Sequence, residues 1–271
     1  MRRIQGDGIE LAVRDEGEGA PVLLLHGFPD TSQLWRHQIA ALTGAGMRAI
    51  APDLRGRGQS DRPPAVEDYA LRRSVADAVA ILDALGIERA DVVGHDFGAA
   101  VAWLVATAHP ERVRRLAVMS VGHPNTAAQR TIRQREAAWY QLLFQFEGVA
   151  EELLRRDDWR LAREWLRNDG DVEHCLDELS HPGALTAGLN WYRANLHPRG
   201  ELRQRPPLPP VGADVLGLWS SRDHYLTEDP MIASGEHVAG RWRYERIDDA
   251  SHWMQLDAPE RVNALLLEFL S

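Results

Sequence analysis

The order of its apolar segments constrains what this chain can fold into more than any other feature. Strand-like runs at 22–25, 47–51, 90–93 and Val113–Met119 alternate with stretches of helical periodicity at 34–42, 71–85 and Phe97–Ala108. The run at 22–25 is apolar throughout, as a strand buried on both faces must be. Gly44, Gly46 and Gly86 stand where the first two helices should stop. Such alternation predicts a parallel sheet with helices on both faces. Ahead of it, 9–14 alternates apolar and polar residues after the Gly6-Asp7-Gly8 turn, which predicts an antiparallel edge hairpin. From about 123 to 205 the pattern changes to helical periodicity with several tryptophans and no convincing strand. Pro206-Pro207-Leu208-Pro209-Pro210 then makes a stiff connector. Alternation resumes at 215–219, 231–237 and Trp242–Ile247, and a C-terminal helix follows over Pro259–Leu270. The reading is one α/β core, residues 1–122 and 206–271, interrupted by a helical insert over 123–205, with no internal repeat.

Composition narrows the function classes. The 271 residues suffice for one large domain with an insert and are few for two independent domains. Hydrophobic residues at 44% and charged residues at 26% are those of a globular chain with a sizeable core. A formal charge of −9 without a basic block argues against a nucleic-acid partner. No lysine occurs, so all 31 basic residues are arginine. That argues against Schiff-base chemistry, pyridoxal phosphate anchoring and a P-loop lysine. An Arg- and Ala-rich chain without lysine suggests a high-GC bacterial source. Cys175, the single cysteine, can form no internal disulfide, and its polar neighbourhood predicts an unreactive thiol. Met1-Arg2-Arg3 is followed by no apolar signal segment, and no apolar run nears the roughly 20 residues that span a bilayer. The expectation is a cytoplasmic protein without a membrane partner. Its oligomeric state is left open, a homodimer included.

One stretch carries chemistry. In Gly94-His95-Asp96-Phe97-Gly98 a strand feeds a helix through a turn with glycines two before and two after Asp96. That is the geometry of a nucleophile elbow, which holds one side chain above the carboxyl edge of a sheet. An aspartate here could also be a plain helix N-cap. Chain order favours the elbow: Asp223 follows the strand at 215–219 and His252 follows Trp242–Ile247, giving nucleophile, acid and histidine in sequence at one rim. His26, His95 and Asp53 show no metal-ligand spacing, and His26 is expected to brace a neighbouring loop instead. His109, His181 and His197 each precede proline and are expected to face solvent, as are the Arg114-Arg115 and Arg155-Arg156 pairs.

These residues resemble those of the α/β-hydrolase superfamily and, within it, the epoxide hydrolases, over essentially the whole chain. The matching pieces are His26-Gly27-Phe28-Pro29, the loop from Pro52 to Asp61, Gly94-His95-Asp96-Phe97-Gly98, Asn190-Trp191-Tyr192-Arg193 and Ser251-His252-Trp253. Epoxide hydrolases more often carry Trp after the nucleophile, where this chain has Phe97. The resemblance implies an α/β-hydrolase fold with a helical cap, no cofactor and no metal. It implies a small-molecule epoxide substrate, opened to a vicinal diol through an Asp96 alkyl ester. A carboxylate is already ionised at neutral pH and attacks strained or activated saturated carbon, whereas its attack on an ester would give a reactive anhydride. His252 is then free to activate the water that hydrolyses the Asp96 ester, with Asp223 orienting the imidazole. The backbone N–H groups of Phe28 and Phe97 are the expected oxyanion donors. Tyr140 and Tyr192 match the two tyrosines that grip the epoxide oxygen in this family. Phe28, Pro29, Phe97, Trp139, Trp191 and Trp253 are the expected substrate contacts. Two other readings stay open: a haloalkane or haloacid dehalogenase using the same nucleophile, with Trp139 or Trp191 reaching the halide, and a non-catalytic hydrolase-fold binding protein. The haloacid branch has Arg directly after the nucleophile, and Phe97 stands there.

Overall fold

A computed structural model describes residues 1–129, 131–167, 169–202 and 206–271. Eight strands form one sheet: β1 (Arg2–Gln5), β2 (Glu10–Glu16), β3 (Ala20–Leu25), β4 (Met47–Pro52), β5 (Ala90–His95), β6 (Val113–Met119), β7 (Asp214–Ser220) and β8 (Trp242–Ile247), in spatial order β1-β2-β4-β3-β5-β6-β7-β8. The β1–β2 hairpin is antiparallel and pairs antiparallel with β4, and every later pairing is parallel. Burial follows position. Every residue of central β5 is buried, while edge strand β8 keeps Arg243 and Glu245 half-buried. That is why β5 reads as a continuous run and β8 does not.

Helices cover both faces. α1 (Arg36–Gly44) lies against β4 and α11 (Pro259–Leu270), and α2 (Leu71–Ala84) lies against α3 (Phe97–Ala108) and β1. α11 turns Val262, Leu265, Leu266 and Leu270 inward at helical spacing. α3 is apolar almost all round because it is sandwiched between β5 and α2. The helix expected over 34–42 is a 3-10 turn, Ser32–Trp35, running into α1, because the Thr31 hydroxyl caps the earlier turn by accepting the Gln33 N–H.

Between β6 and β7 the described residues hold no named strand; besides two 3-10 turns, Pro124–Gln129 and Pro198–Leu202, they form α4 (Ile132–Ala137), α5 (Tyr140–Leu143), α6 (Val149–Leu166, bent at 156–159), α7 (Val172–Ser180) and α8 (Ala184–Asn195). The end of the expected insert at 205 lies outside the described residues. Its two connections to the core are joined by one side chain: Asn125 donates to the Leu208 carbonyl at 3.0 Å and accepts the Leu208 N–H at 2.9 Å. α8 is tied to the core through Asn195, which accepts from Leu71 N–H and donates to the Tyr69 carbonyl. Two short helices, α9 (Asp229–Ala233) and α10 (Met254–Asp257), complete the core. No helix is long and apolar enough to cross a membrane among the described residues.

Arg114 is exposed, as expected, and still pairs bidentately with Asp91, which is fully buried at the head of β5. A buried carboxylate needs such a partner. Its neighbour Arg115 donates to the Leu270 carbonyl at the C-terminal helix.

Candidate active site

Four loops at the carboxyl ends of parallel strands converge. Phe28 follows β3, Asp96 follows β5, Asp223 follows β7 and His252 follows β8. Asp96 adopts φ 51° and ψ −122°, a backbone region that L side chains rarely occupy. The flanking glycines answer a different demand from the one the turn suggests. A Cβ on Gly98 would lie 2.0 Å from the Leu25 carbonyl oxygen, and one on Gly94 would lie 2.4 Å from the Gly98 oxygen. They allow the close approach of α3 to the sheet, while Asp96 itself takes the strained turn. Gly27 is small for a third reason, since its Cβ would overlap the Asp96 carboxylate at 2.4 Å.

The Asp96 carboxylate accepts the Phe28 N–H at 3.0 Å, and the Phe97 N–H also holds it. Burial raises its pKa; the nearby His252 and these two amides act in the opposite direction. His252 Nε2 stands 3.8 Å from Asp96 Oδ2, and its Nδ1 is 2.8 Å from Asp223 Oδ2. The Asp223 side chain is fully buried and takes the N–H groups of Tyr225 and Leu226 on Oδ1 at 2.8 and 2.9 Å. Burial alone would lower the His252 pKa. The Asp223 charge and hydrogen bond outweigh it, Asp96 and Asp30 add to them, and the result is about 9. A carboxylate, an imidazole and a second carboxylate thus stand in a row, with two backbone donors on the first.

Aromatic rings roof this row. Tyr192, from α8, meets Phe97 and Phe28 edge-on at 4.9 and 5.4 Å between centroids. Tyr140, from α5, meets Tyr192 and Tyr225 at 5.8 Å each. Both tyrosines are buried, and burial pushes the Tyr192 hydroxyl well above its usual pKa, so it is a phenol and a proton donor. Trp253 packs on His252 at 5.2 Å, and Pro29 follows Phe28 through a cis peptide bond.

The two remaining tryptophans behave otherwise. Trp139 is 46% exposed and stands outside the cluster. Neighbours on a helical turn point about 100° apart, so an inward Tyr140 turns Trp139 outward. This corrects its place among the substrate contacts. Trp191 does pack on Phe97 at 5.2 Å, but its indole N–H is taken by the Arg55 carbonyl at 3.0 Å. Neither indole offers a halide the free donor that the dehalogenase reading requires.

His26 is spent on structure: Nε2 accepts the Leu54 N–H and Nδ1 bonds the Gly27 carbonyl, with a pKa lowered to about 4, chiefly by burial. Asp53 accepts Ser32 N–H and Gln59 N–H. The loop from Pro52 to Asp61 therefore braces the Phe28 loop. Among the residues near the site that escape sequence reasoning are Tyr225, which packs on His252 and donates its N–H to Asp223, and Arg57 and Asp30. Arg57 donates to the Pro29 and Asp30 carbonyls and covers the Phe28 ring at 5.6 Å. Asp30 accepts the Trp253 indole N–H at 2.9 Å, and burial raises its pKa to about 7. Its one local signal is its place after Pro29. Cys175 is buried in α7, and burial pushes its thiol well up in pKa, away from the reactive thiolate.

The family model described as alpha/beta hydrolase fold matches residues 20–259. The chain belongs to that family. It is 36% identical to epoxide hydrolase A of Mycobacterium tuberculosis across 100% of this chain and 97% of that protein. It is 31% identical to mouse epoxide hydrolase 4, covering 99% of this chain and 78% of the relative. Among solved structures, an epoxide hydrolase of Bacillus megaterium complexed with its product, (R)-3-[1]naphthyloxy-propane-1,2-diol, superposes with a TM-score of 0.90 at 28% identity over 99% of both chains.

Proposed function

We propose that this chain is an epoxide hydrolase, adding water to a small-molecule epoxide to give a vicinal diol. The observation that carries the reading is an aspartate, not a serine, at the elbow, 3.8 Å from a histidine that a second aspartate holds. In the first step Asp96 attacks an epoxide carbon and the C–O bond of the ring breaks. Tyr140 and Tyr192 donate to the departing oxygen, which takes a proton from one of the two hydroxyls and becomes the first hydroxyl, leaving that tyrosine as its phenolate. In the second step water gives a proton to His252 Nε2 and attacks the Asp96 ester carbonyl, and Phe28 and Phe97 N–H groups stabilise the oxyanion. Collapse breaks the ester C–O bond, the departing alkoxide takes the proton back from His252 as the second hydroxyl, and the proton of the restored carboxyl returns to the tyrosine that protonated the first. Esterification removes the Asp96 charge, one of the groups that raise the His252 pKa, and so shifts the imidazole toward its neutral, basic form while Asp223 still holds it.

The helices of 123–205 serve as a cap over a core of 1–122 and 206–271, and Phe28, Phe97, Trp191 and Trp253 line the substrate's apolar part. A single buried cysteine and a lysine-free chain fit a bacterial cytoplasmic enzyme.

The test is a single turnover in ¹⁸O-labelled water with enzyme in excess, across a panel of epoxides and haloalkanes. The diol should emerge largely unlabelled and the label should enter the peptide containing Asp96. Replacing either tyrosine by Phe should slow alkylation by about a hundredfold, the loss of one donor worth about 3 kcal/mol. Fully labelled diol in the first turnover, or halide release outpacing diol formation, rejects this reading.

A further inference from the structure

The loop that carries Asp223 is not held by the core alone. Gln134, buried on the short helix α4 of the insert, makes three bonds to it. Its Nε2 donates to the Tyr225 carbonyl at 2.9 Å, and its Oε1 accepts the Thr227 N–H at 2.8 Å and the Thr227 hydroxyl at 2.9 Å. Gln134 is itself pinned, because its N–H donates to the Thr131 hydroxyl at the start of α4. The Tyr225 carbonyl belongs to the same peptide unit as the Leu226 N–H, and that N–H donates to Asp223 Oδ1. One continuous chain of donors and acceptors results. It runs from the Gln134 amide through the Tyr225–Leu226 peptide to Asp223, and from the other oxygen of Asp223 to His252 Nδ1. Bonds in such a chain polarise one another, and an amide whose carbonyl accepts a bond is a stronger donor at its N–H. A second tie runs parallel: the Tyr225 hydroxyl donates to the Trp165 carbonyl of α6 at 2.8 Å, while its ring packs on His252 at 5.2 Å.

We infer that Gln134 is a positioning residue for the acid–base pair, acting through the Tyr225–Leu226 peptide on Asp223 and so on His252. The inference rests on the epoxide hydrolase reading, in which His252 acts in the second step. Gln134 therefore governs hydrolysis of the Asp96 ester and leaves its formation nearly untouched. The insert thereby does more than roof the site: its seating on the 223–227 loop completes the base.

The experiment separates the two half-reactions by rapid quench and intact mass on the full chain. It uses an epoxide that the wild type turns over. Gln134→Met keeps the length of the side chain and removes all three bonds. Gln134→Glu keeps the acceptors for Thr227 and removes the donor to Tyr225. Both should slow ester hydrolysis by about tenfold, the effect of weakening one charge-assisted bond, and hold alkylation within about twofold. The ester should accumulate, so kcat and KM fall together. Circular dichroism and thermal melts of both variants monitor folding, and the Glu variant serves if the Met variant does not fold. Hydrolysis at the wild-type rate in Gln134→Glu, or equal slowing of both steps, overturns the inference. A wild type that forms no ester at Asp96 overturns the proposed function and the inference with it.

Discussion

At the scale of the residue, His252 concentrates the electrostatics of the site. Its pKa of about 9 lies above the ordinary value of 6.5, so the folded state binds its proton more tightly than the unfolded state. The stability it contributes is complete below about 6.5 and is lost as pH rises through about 9. Asp30 has the same sign, because burial raises it from 3.8 to about 7, and its contribution disappears as pH rises through that value. Stability in urea should therefore fall between pH 6 and pH 9. Asp30→Asn should flatten the lower part of the fall and move the upper part to lower pH, because the Asp30 charge helps to raise the His252 pKa. A stability that is level or rising over this interval refutes the assignment. Asp96, Asp223 and His252 were legible in the sequence because an elbow and chain order are local facts. Gln134 was not, because it is one polar residue in a short helix whose partners lie more than 90 positions away.

Among the elements, the junction of β5 and α3 is the tightest. β5 is buried on both faces, and α3 starts on a strained residue and passes within contact of the β3 backbone. Gly98→Ala would put a methyl 2.0 Å from the Leu25 carbonyl oxygen. The helix must shift, and we expect a loss of about 1–3 kcal/mol, as for overpacking in a core. Urea denaturation at fixed pH checks it, and an unchanged midpoint would show that α3 has room to move. Elements such as Phe97–Ala108 and Pro259–Leu270 match their sequence pattern because both turn an apolar stripe or a wholly apolar surface into the core. Trp139 departs from its expected place for the complementary reason. Which side of a one-turn helix faces in depends on tertiary neighbours that periodicity does not encode.

For the whole molecule, the question is how the insert stays seated on the sheet. Asn195 supplies one polar anchor, bridging α8 to Leu71 and Tyr69, and Trp191 supplies another through Arg55. Asn195→Ala should lower stability by about 1–2 kcal/mol, since it leaves Leu71 N–H and Tyr69 carbonyl without that partner. Hydrogen exchange should speed up in α8 before it does in the sheet, and uniform exchange across both would show that insert and core open as one. The Asn125 tie has a consequence of another kind. Its two bonds to Leu208 bring the chain's departure from β6 and its return toward β7 to within the reach of one side chain. Everything between is a detour whose start and finish coincide, so its length is free of the geometry beneath it. A shorter or longer set of helices could be spliced at that point without stretching the sheet, which makes the roof over Asp96 an exchangeable cassette.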